Sequence, residues 1–397
     1  MNASTIPDQA GSAAAPPRQW DLPELSRLAA LHALAQGMPR DATRRILDGI
    51  AHADGPAEAS WPSRWMQAGS EAGRAGDWSS AVHCFNLGRF PCTSDAQRAR
   101  SHALCVAAAR RWAAEGGAGA PVAVHRPSWR GRRFTLYVRR CLRVADPPLL
   151  LVLGGIVSVK EQWLALLGMA DRLGVDVALT EFPGVGENEL VPGEHAHEMI
   201  GIALDVAGAR AAPGAFALAL SFGGTLALRQ AAADPRIKGI ATIGAPVRSF
   251  FHDSDWFAAL PPTTRGTLSH LLAAPAAELQ ARCAALAVRE DELRRIAVPV
   301  SYVECRRDEI VQQANAAELM AALARSRWLA IDDVHGAPNR IAVVRSFLVG
   351  SIVAGLSPRS PRGRVAGTAL RLLGALPGVR YRRRALPRNA DPSVRTE

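Results

Sequence analysis

The sequence predicts an α/β fold built on a mostly parallel sheet with helices on both faces. Two observations lead to this prediction. Short apolar runs alternate with helical segments over the second half of the chain, which is typical of parallel strands joined by crossover helices. A serine also stands where one apolar run meets a glycine pair, as at a strand-to-helix turn. The predicted strands are Pro147–Leu153, Val175–Thr180, Phe216–Leu220, Ile237–Ile243, Val298–Glu304 and Trp328–Ile331.

That serine is Ser221, in the segment FALALSFGGTLA at residues 216–227. A buried strand running into it, followed by a helix that opens with Gly223 and Gly224, predicts a sharp turn that exposes the serine oxygen. Small residues are needed two positions before and two after the serine, because the turn brings their backbones together. Ala219 and Gly223 hold those positions. Since so short a pattern is common by chance, its partner residues have to be found as well.

A serine hydroxyl becomes nucleophilic when a base takes its proton and an acid orients that base. On a parallel α/β sheet these partners are expected in the order serine, acid, histidine, each just after a strand. Asp308 follows the strand at 298–304, and His335 follows the strand at 328–331. Ser221, Asp308 and His335 therefore stand in the required order and are the candidate catalytic triad.

Other acids compete with Asp308 for the orienting role. Glu304 ends its own strand and is the more serious rival, so it ranks second. Asp332 and Asp333 lie too close to His335 in sequence to reach its ring easily.

Negative charge that develops on the substrate oxygen needs N–H donors held in place for it. One donor is expected from Phe222, the residue after the nucleophile, at the start of a helix. The second is expected from the turn that follows the strand at 147–153. The amide of Ile156 is the first choice there, and Gly155 is the runner-up.

Three segments together resemble a subgroup of the α/β-hydrolases: GGIVSVKE at residues 154–161, EFPGVGE at residues 181–187, and the Ser221 turn. The subgroup includes a bacterial 2,6-dihydroxypseudooxynicotine hydrolase, the fungal yellowish-green pigment hydrolases and the fermentation–respiration switch proteins. The similarity runs from about residue 75 to residue 350 and includes a helical N-terminal portion. It implies the α/β-hydrolase fold, a serine hydrolase with Ser221, Asp308 and His335 as nucleophile, acid and base, and, as in the best-known members, cleavage of a carbon–carbon bond beside a ketone.

The chain departs from the nicotine-pathway enzyme at one position of the first segment. Val157 stands where that enzyme's loop carries an acidic residue. An apolar side chain there disfavours a basic, amine-bearing substrate.

The predicted domain organisation has four parts. Residues 1–20 are rich in Ala, Pro, Ser and Gly and are expected to be disordered. Residues 21–117 form a helical arm or lid, and residues 118–350 form the hydrolase core, which begins with a hairpin. Residues 351–397 are a basic tail that is expected to be disordered, although a weak amphipathic helix is an alternative.

An insertion at about residues 245–295 of the core is expected to roof the site together with the N-terminal helices. Its aromatic side chains are expected to serve packing more than substrate contact. They are Phe250, Phe251, Trp256 and Phe257.

Charge and composition exclude several classes of function. The formal net charge is +11, but residues 357–397 carry ten arginines against Asp391 and Glu397, so the body is nearly neutral. The basic residues have no aromatic residues between them and form no known nucleic-acid-binding motif, so they do not indicate nucleic-acid binding. No apolar run approaches the ~20 residues that span a bilayer, and no signal peptide is recognised. A cytoplasmic protein without firm membrane association is therefore expected.

No two of the six cysteines are spaced as C-x-x-C, and no histidine follows them at the spacing of a zinc finger. Reduced, mostly buried thiols are expected, with no metal and no cofactor. The expected partner is a small-molecule acyl or diketone substrate, and a homodimer is left open.

Three functional hypotheses follow. The first is a serine hydrolase that forms an acyl-enzyme and cleaves a carbon–carbon bond beside a ketone, an ester or a thioester in a polyketide-like secondary metabolite. The second uses the same groups for acyl transfer, cyclisation or thioester release of a polyketide or peptide product. The third is a non-catalytic binding protein on a hydrolase scaffold, which the intact triad disfavours.

Overall fold

A nine-stranded sheet runs through the computed structural model, which describes residues 20–210, 212–356 and 360–384. The strands are β1 (Val122–His125), β2 (Ser128–Trp129), β3 (Arg132–Arg133), β4 (Leu136–Arg139), β5 (Leu149–Leu153), β6 (Asp176–Thr180), β7 (Ala215–Ala219), β8 (Ile237–Ile243), β9 (Val300–Cys305), β10 (Ser326–Ile331) and β11 (Val379–Arg384).

The centre of the sheet is parallel and its edges are antiparallel. The strand order is β1-β4-β6-β5-β7-β8-β9-β10-β11, and β2 with β3 forms a separate small hairpin. Strands β6, β5, β7, β8, β9 and β10 pair in parallel, whereas β1, β4 and β11 pair antiparallel. Strands β5, β6 and β7 are buried along their whole length, because helices cover both faces. The predicted α/β fold with a mostly parallel sheet is confirmed.

Helices precede the sheet, alternate with its strands and follow it. They are α1 (Leu22–Gln36), α2 (Arg40–Asp48), α3 (Trp61–Arg74), α4 (Trp78–Gly88), α5 (Ala96–Ala114), α6 (Leu164–Leu167), α7 (Ala170–Leu173), α8 (Glu198–Val206), α9 (Phe222–Ala231), α10 (Ser249–His252), α11 (Ser254–Ala258), α12 (Pro262–Leu271), α13 (Leu279–Ala284), α14 (Glu290–Arg295), α15 (Gln313–Ala322), α16 (Ile341–Leu356) and α17 (Pro361–Leu373).

The N-terminal helices have an apolar cluster of their own. Trp61 and Trp65 of α3 are fully buried in it, together with Leu25 of α1 and Phe90. The partly buried Val157, from the loop after β5, packs against the same cluster. The arm is therefore attached to the loop that was expected to stabilise negative charge. Of the predicted disordered start at residues 1–20, only Trp20 lies in the described ranges, and it is buried.

The segment between β8 and β9 is helical, with α10 to α14 in it. Phe250, Phe251 and Phe257 are buried, and the ring centroids of Phe222 and Phe250 lie 5.4 Å apart in an edge-to-face arrangement. These aromatics pack on the start of α9. They hold this segment, called the roof below, against the turn that carries Ser221.

The expectation of a disordered tail from residue 351 is wrong for residues 351–356, which end α16, and for residues 360–384. Helix α17 packs on α16, and β11 adds an antiparallel edge strand to β10. Leu370 and Val379 are buried, and the Phe347 and Tyr381 rings lie 6.4 Å apart. Val379 is buried and Tyr381 is half-buried, whereas the four arginines of this strand are exposed, so the edge is charged. Residues 385–397 lie outside the described ranges.

One helical stretch is long and apolar enough to cross a membrane by length and composition, at residues 338–356, which the sequence analysis did not anticipate. Within it, α16 lies on β7, β8 and β9 and buries Phe347, Leu348 and Ile352. Through these contacts α16 covers part of one face of the sheet.

Leu370→Ala tests whether the tail is part of the fold. Leu370 is 1% exposed and packs on α16, so we expect its truncation to lower the free energy of unfolding by about 2–5 kcal/mol. Leu372→Ala is the matched control, since Leu372 is 66% exposed, and should change it by less than about 0.5 kcal/mol. Urea denaturation followed by tryptophan fluorescence measures both. Equal values for the two variants would show that α17 does not pack.

Candidate active site

Ser221 lies between the end of β7 and the start of α9, in a backbone conformation that few L-residues adopt. Its φ is 51° and its ψ is −129°. The turn is held by neighbouring strands, because the Ser221 N–H donates to the Ile243 carbonyl at 2.9 Å and the Leu220 N–H donates to the Leu153 carbonyl at 2.9 Å. A strained serine at the carboxyl end of a parallel strand is the geometry expected of a nucleophile.

Glycines are required around this turn because other backbone segments approach it closely. A Cβ atom on Gly155 would lie 2.9 Å from the Ser221 Cβ and 3.3 Å from its Oγ. A Cβ atom on Gly223 would collide with the Gly154 carbonyl. The loop after β5 therefore touches the nucleophile directly, as was expected for an oxyanion-binding turn.

The structure brings Ser221, His335 and Asp308 together at the carboxyl ends of β7, β10 and β9. His335 Nε2 lies 3.2 Å from Ser221 Oγ. His335 Nδ1 lies 2.8 Å and 3.0 Å from the two Asp308 oxygens. Backbone N–H groups of Ile310 and Val311 donate to Asp308 Oδ1 and fix the carboxylate. Hydroxyl, imidazole and carboxylate form one hydrogen-bonded chain.

Within the described residues, the His335 ring nitrogens bond Asp308 and Ser221 and none of the rival acids. Burial raises the pKa of Glu304, whose partner across the sheet in register is Ala330. Asp332 pairs with Arg307 on the surface, and Asp333 accepts hydrogen bonds from the backbone and side chain of Asn339. Asp308 is the carboxylate that lies on the His335 ring.

The pKa of His335 is raised above its ordinary value of 6.5. Burial of the ring acts to lower it, but the charge of Asp308, the hydrogen bond to that residue and the charge of Glu309 outweigh burial. The Glu309 carboxylate also accepts a hydrogen bond from the backbone N–H of His335 at 3.1 Å. Sequence reasoning missed Glu309, which directly follows Asp308.

The candidate oxyanion donors lie on either side of Ser221. Phe222 begins α9, and Gly155 and Ile156 belong to the loop that contacts the serine. Within residues 20–210, 212–356 and 360–384, no protein acceptor takes the N–H of Phe222 or of Ile156. Both amides are therefore available to a substrate oxygen.

Solved structures of similar proteins place this chain in a family. A structure of wild-type AbyA5 is 34% identical with a TM-score of 0.81, covering 89% of this chain and 99% of that one. A second AbyA5 structure, also 34% identical, has a TM-score of 0.76 and covers 82% of this chain and 97% of that one. The 2,6-dihydroxy-pseudo-oxynicotine hydrolase shares the fold at 21% identity, with a TM-score of 0.62 over 87% of this chain and 99% of that one.

The chain belongs to the α/β-hydrolase superfamily. The resemblance drawn from its motifs is confirmed. No family model and no curated protein matches the sequence.

The charged residues of the two family motifs form a buried cluster in this α/β-hydrolase. The Lys160 ammonium is fully buried and lies 2.7 Å from Glu161, 3.3 Å from Glu181 and 2.8 Å from Glu187. The Lys160 N–H and the Glu187 N–H both donate to the Glu181 carboxylate. The cluster thus ties the loop after β5 to the loop after β6 beneath the site. The sequence singled out these motifs but not their contacts.

Charge and burial oppose each other in this cluster. Burial acts to lower the pKa of Lys160, yet its carboxylate neighbours raise it well above the ordinary value. Burial raises the pKa of Glu181 to about 7, although Lys160 opposes that shift. His102, Glu161 and Glu181 could together hold a metal ion by distance. The ammonium between the two carboxylates already supplies a positive charge there.

Arg89, from the N-terminal arm, reaches the same loop from the other side. Its guanidinium donates to the Val157 carbonyl, to the Pro91 carbonyl and to Asn86 Oδ1. Asn86 in turn donates to Gln36 Oε1 of α1. A chain of hydrogen bonds therefore runs from α1 to the loop beside Ser221, and it could not be foreseen from the local sequence.

Lys160→Met tests whether the buried cluster holds the fold around the site. Removing the ammonium leaves carboxylates buried without a counter-charge, so we expect the free energy of unfolding to fall by about 3–5 kcal/mol. Lys238→Met is the matched control, because the Lys238 ammonium makes an exposed contact with the Pro235 carbonyl. This substitution should lower the free energy of unfolding by less than about 1 kcal/mol. Urea denaturation compares them, and a Lys160 variant as stable as the control would contradict the expectation.

Proposed function

We propose that this α/β-hydrolase is a serine hydrolase that works through an acyl-enzyme. The observation that carries the proposal is the hydrogen-bonded chain from Ser221 Oγ through His335 to Asp308, at 3.2 Å and 2.8 Å. The strained turn at Ser221 and the available amides of Phe222 and Ile156 support it. Together they supply a nucleophile, a base, an orienting acid and donors for an oxyanion.

In the proposed reaction Ser221 attacks a carbonyl carbon while His335 Nε2 takes the hydroxyl proton. Asp308 stabilises the imidazolium that forms. The amides of Phe222 and Ile156 donate to the tetrahedral oxyanion. His335 then gives its proton to the leaving group, and water releases the acyl half by the same route.

The proposed substrate is a secondary metabolite of polyketide type with a ketone beside the bond that breaks, or with an ester or thioester. Carbon can leave when a neighbouring carbonyl delocalises the electron pair. A fold neighbour is named as the 2,6-dihydroxy-pseudo-oxynicotine hydrolase. In the loop beside Ser221, the apolar Val157 stands at the position that is acidic in the nicotine-pathway enzyme, so a substrate without a basic amine is favoured.

Acyl transfer or cyclisation on the same groups is a second candidate, favoured by the cover over the site. Helix α1 is held to the roof by Glu24, whose carboxylate accepts from the N–H and the hydroxyl of Thr263. A covered site protects an acyl-enzyme from water and leaves it to another acceptor. Product analysis with and without an added alcohol or amine distinguishes transfer from hydrolysis.

Ser221→Ala tests the nucleophile. We expect kcat on para-nitrophenyl esters, thioesters and β-diketones to fall by at least ~10³-fold, and covalent labelling by a fluorophosphonate probe to disappear. Ser70→Ala, at an exposed position of α3, is the control and should keep both. Labelling that persists in the Ser221 variant, or a wild-type protein that neither labels nor turns over any of the three substrate types, would refute the serine-hydrolase proposal.

The pH dependence follows from the raised pKa of His335. Protonated His335 cannot take the serine proton, and its pKa lies above 6.5, so we expect the rate of fluorophosphonate labelling to rise with pH through a midpoint above 6.5. Asp308→Asn removes the charge that raises this pKa, so the midpoint should move to lower pH as the rate falls. Asp332→Asn, at an exposed acid on the neighbouring loop, should leave the midpoint in place. Identical midpoints in all three proteins would contradict this assignment.

A further inference from the structure

Helix α17 and the turn after it carry apolar side chains that the fold leaves in water. Val365 is 69% exposed, Leu372 is 66% exposed and Leu376 is 40% exposed. We call these three residues the apolar stripe. Val365 and Leu372 lie two helical turns apart, on the same side of α17, whereas the buried Leu370 lies on the side that packs on α16. Packing of the core therefore does not account for the stripe.

The apolar stripe is a local concentration of such side chains. The described residues contain seven exposed large apolar side chains, and three of the seven fall within residues 365–376. Single exposed apolar side chains are ordinary on a protein surface, but a group of them marks a surface that another molecule covers.

Arginines flank the stripe on both sides. With 3.6 residues in a turn, Arg362 lies to one side of the stripe, and Arg364 and Arg371 lie to the other. All three are exposed, and so are the four arginines of β11. Residues 360–384 contain these seven arginines and no acidic residue. An apolar stripe bordered by basic side chains is typical of a helix that lies on a membrane surface.

This surface is held in a fixed shape by the sheet. Strand β11 pairs with β10 over six residues. The Gly378 carbonyl, in the turn between α17 and β11, accepts a hydrogen bond from the Asp332 N–H. The end of α17 lies close on β11, since a Cβ atom on Gly374 would be 2.8 Å from the Tyr381 Cβ. A partner therefore meets a preformed helix, and binding does not require a segment to become ordered.

The chemistry of the surface favours one kind of partner. A second copy of this chain would bring seven arginines against seven, and the repulsion opposes such a dimer. Nucleic acid would contact the arginines but leave the apolar stripe in water. An anionic lipid surface matches both parts, because its headgroups attract arginine and the region beneath them accepts apolar side chains.

We propose that α17 and β11 form a docking surface for an anionic lipid membrane. The apolar stripe enters the headgroup region, and the arginines beside it contact lipid phosphates. The contact is peripheral and reversible, since one short helix buries far less apolar surface than a membrane-spanning segment. The proposal does not depend on the catalytic site, because no residue of the candidate triad takes part in it.

Flotation of the full-length protein with lipid vesicles tests the proposal. Anionic vesicles contain equal parts of phosphatidylglycerol and phosphatidylcholine, and neutral vesicles contain phosphatidylcholine alone. At ~0.1 M salt we expect the protein to bind the anionic vesicles at least about tenfold more tightly than the neutral ones. Raising the salt to ~1 M shortens the screening length to ~3 Å and should release the protein.

A first double variant tests the charge. Arg362→Gln combined with Arg371→Gln should weaken binding to anionic vesicles about 25-fold, because each basic side chain at an anionic surface strengthens binding about fivefold. Arg74→Gln combined with Arg100→Gln is the matched control. It removes the same charge from exposed positions of α3 and α5, so its binding should stay within about threefold of wild type.

A second double variant tests the apolar stripe. Val365→Ala combined with Leu372→Ala should weaken binding at least about tenfold, because less apolar surface leaves water on docking. Leu142→Ala is the control, at a 71% exposed position in the loop after β4, and should bind like wild type. All these positions are exposed, so urea denaturation should give wild-type stability for every variant and exclude unfolding as the cause.

Four outcomes would overturn the docking proposal. They are a wild-type protein that does not float with anionic vesicles, equal binding to neutral vesicles, equal losses in the test and control variants, and binding that needs the arginines but not the stripe. The last outcome would indicate non-specific charge attraction. A wild-type protein that ignores vesicles but binds polyglutamate would identify this face as a docking site for an acidic protein instead.

Discussion

The backbone of Ser221 has a positive φ, and the rest of the site is arranged around that strain. A residue in this conformation costs of the order of 1–3 kcal/mol, so the surrounding packing has to hold it in place. The Ile243 carbonyl accepts its N–H, and Gly155 and Gly223 leave room for the close approach of the loop after β5. Edge-to-face contacts of Phe222 with the roof aromatics fix the start of α9. The serine oxygen is thus positioned by a sheet, a loop and a roof together.

The triad candidates could be found from sequence because each one follows a strand whose apolar run is visible. The sequence ranked Asp308 ahead of Glu304, which ends the strand before that turn. Coordinates were needed to show that the Asp308 carboxylate lies on the His335 ring. The motif residues Lys160 and Glu181 were also visible, but their pairing is a contact between two loops. Sequence alone does not show which loops meet.

Other features depend on contacts between distant segments, and these were not predicted. Helix α1 is fixed in the N-terminal arm because Leu25, Ala29 and Ala33 are buried in the cluster of that arm. The apolar face of α1 is visible in the sequence, but the segments that its other face contacts are not. The tail was mistaken for disorder because glycines and a proline interrupt it; strand β11 forms because the open edge of β10 can accept it.

Helix α1 contacts both the roof and the residue that supports His335. Its Glu24 accepts a hydrogen bond from Thr263 of the roof, and its Arg27 lies 4.0 Å from Glu309. Glu309 in turn accepts a hydrogen bond from the backbone N–H of His335. In the proposed reaction His335 is the base, so a molecule that displaced α1 would disturb both its contact with the roof and its contact with Glu309. Admission of a substrate and alignment of the imidazole would then be linked through one helix.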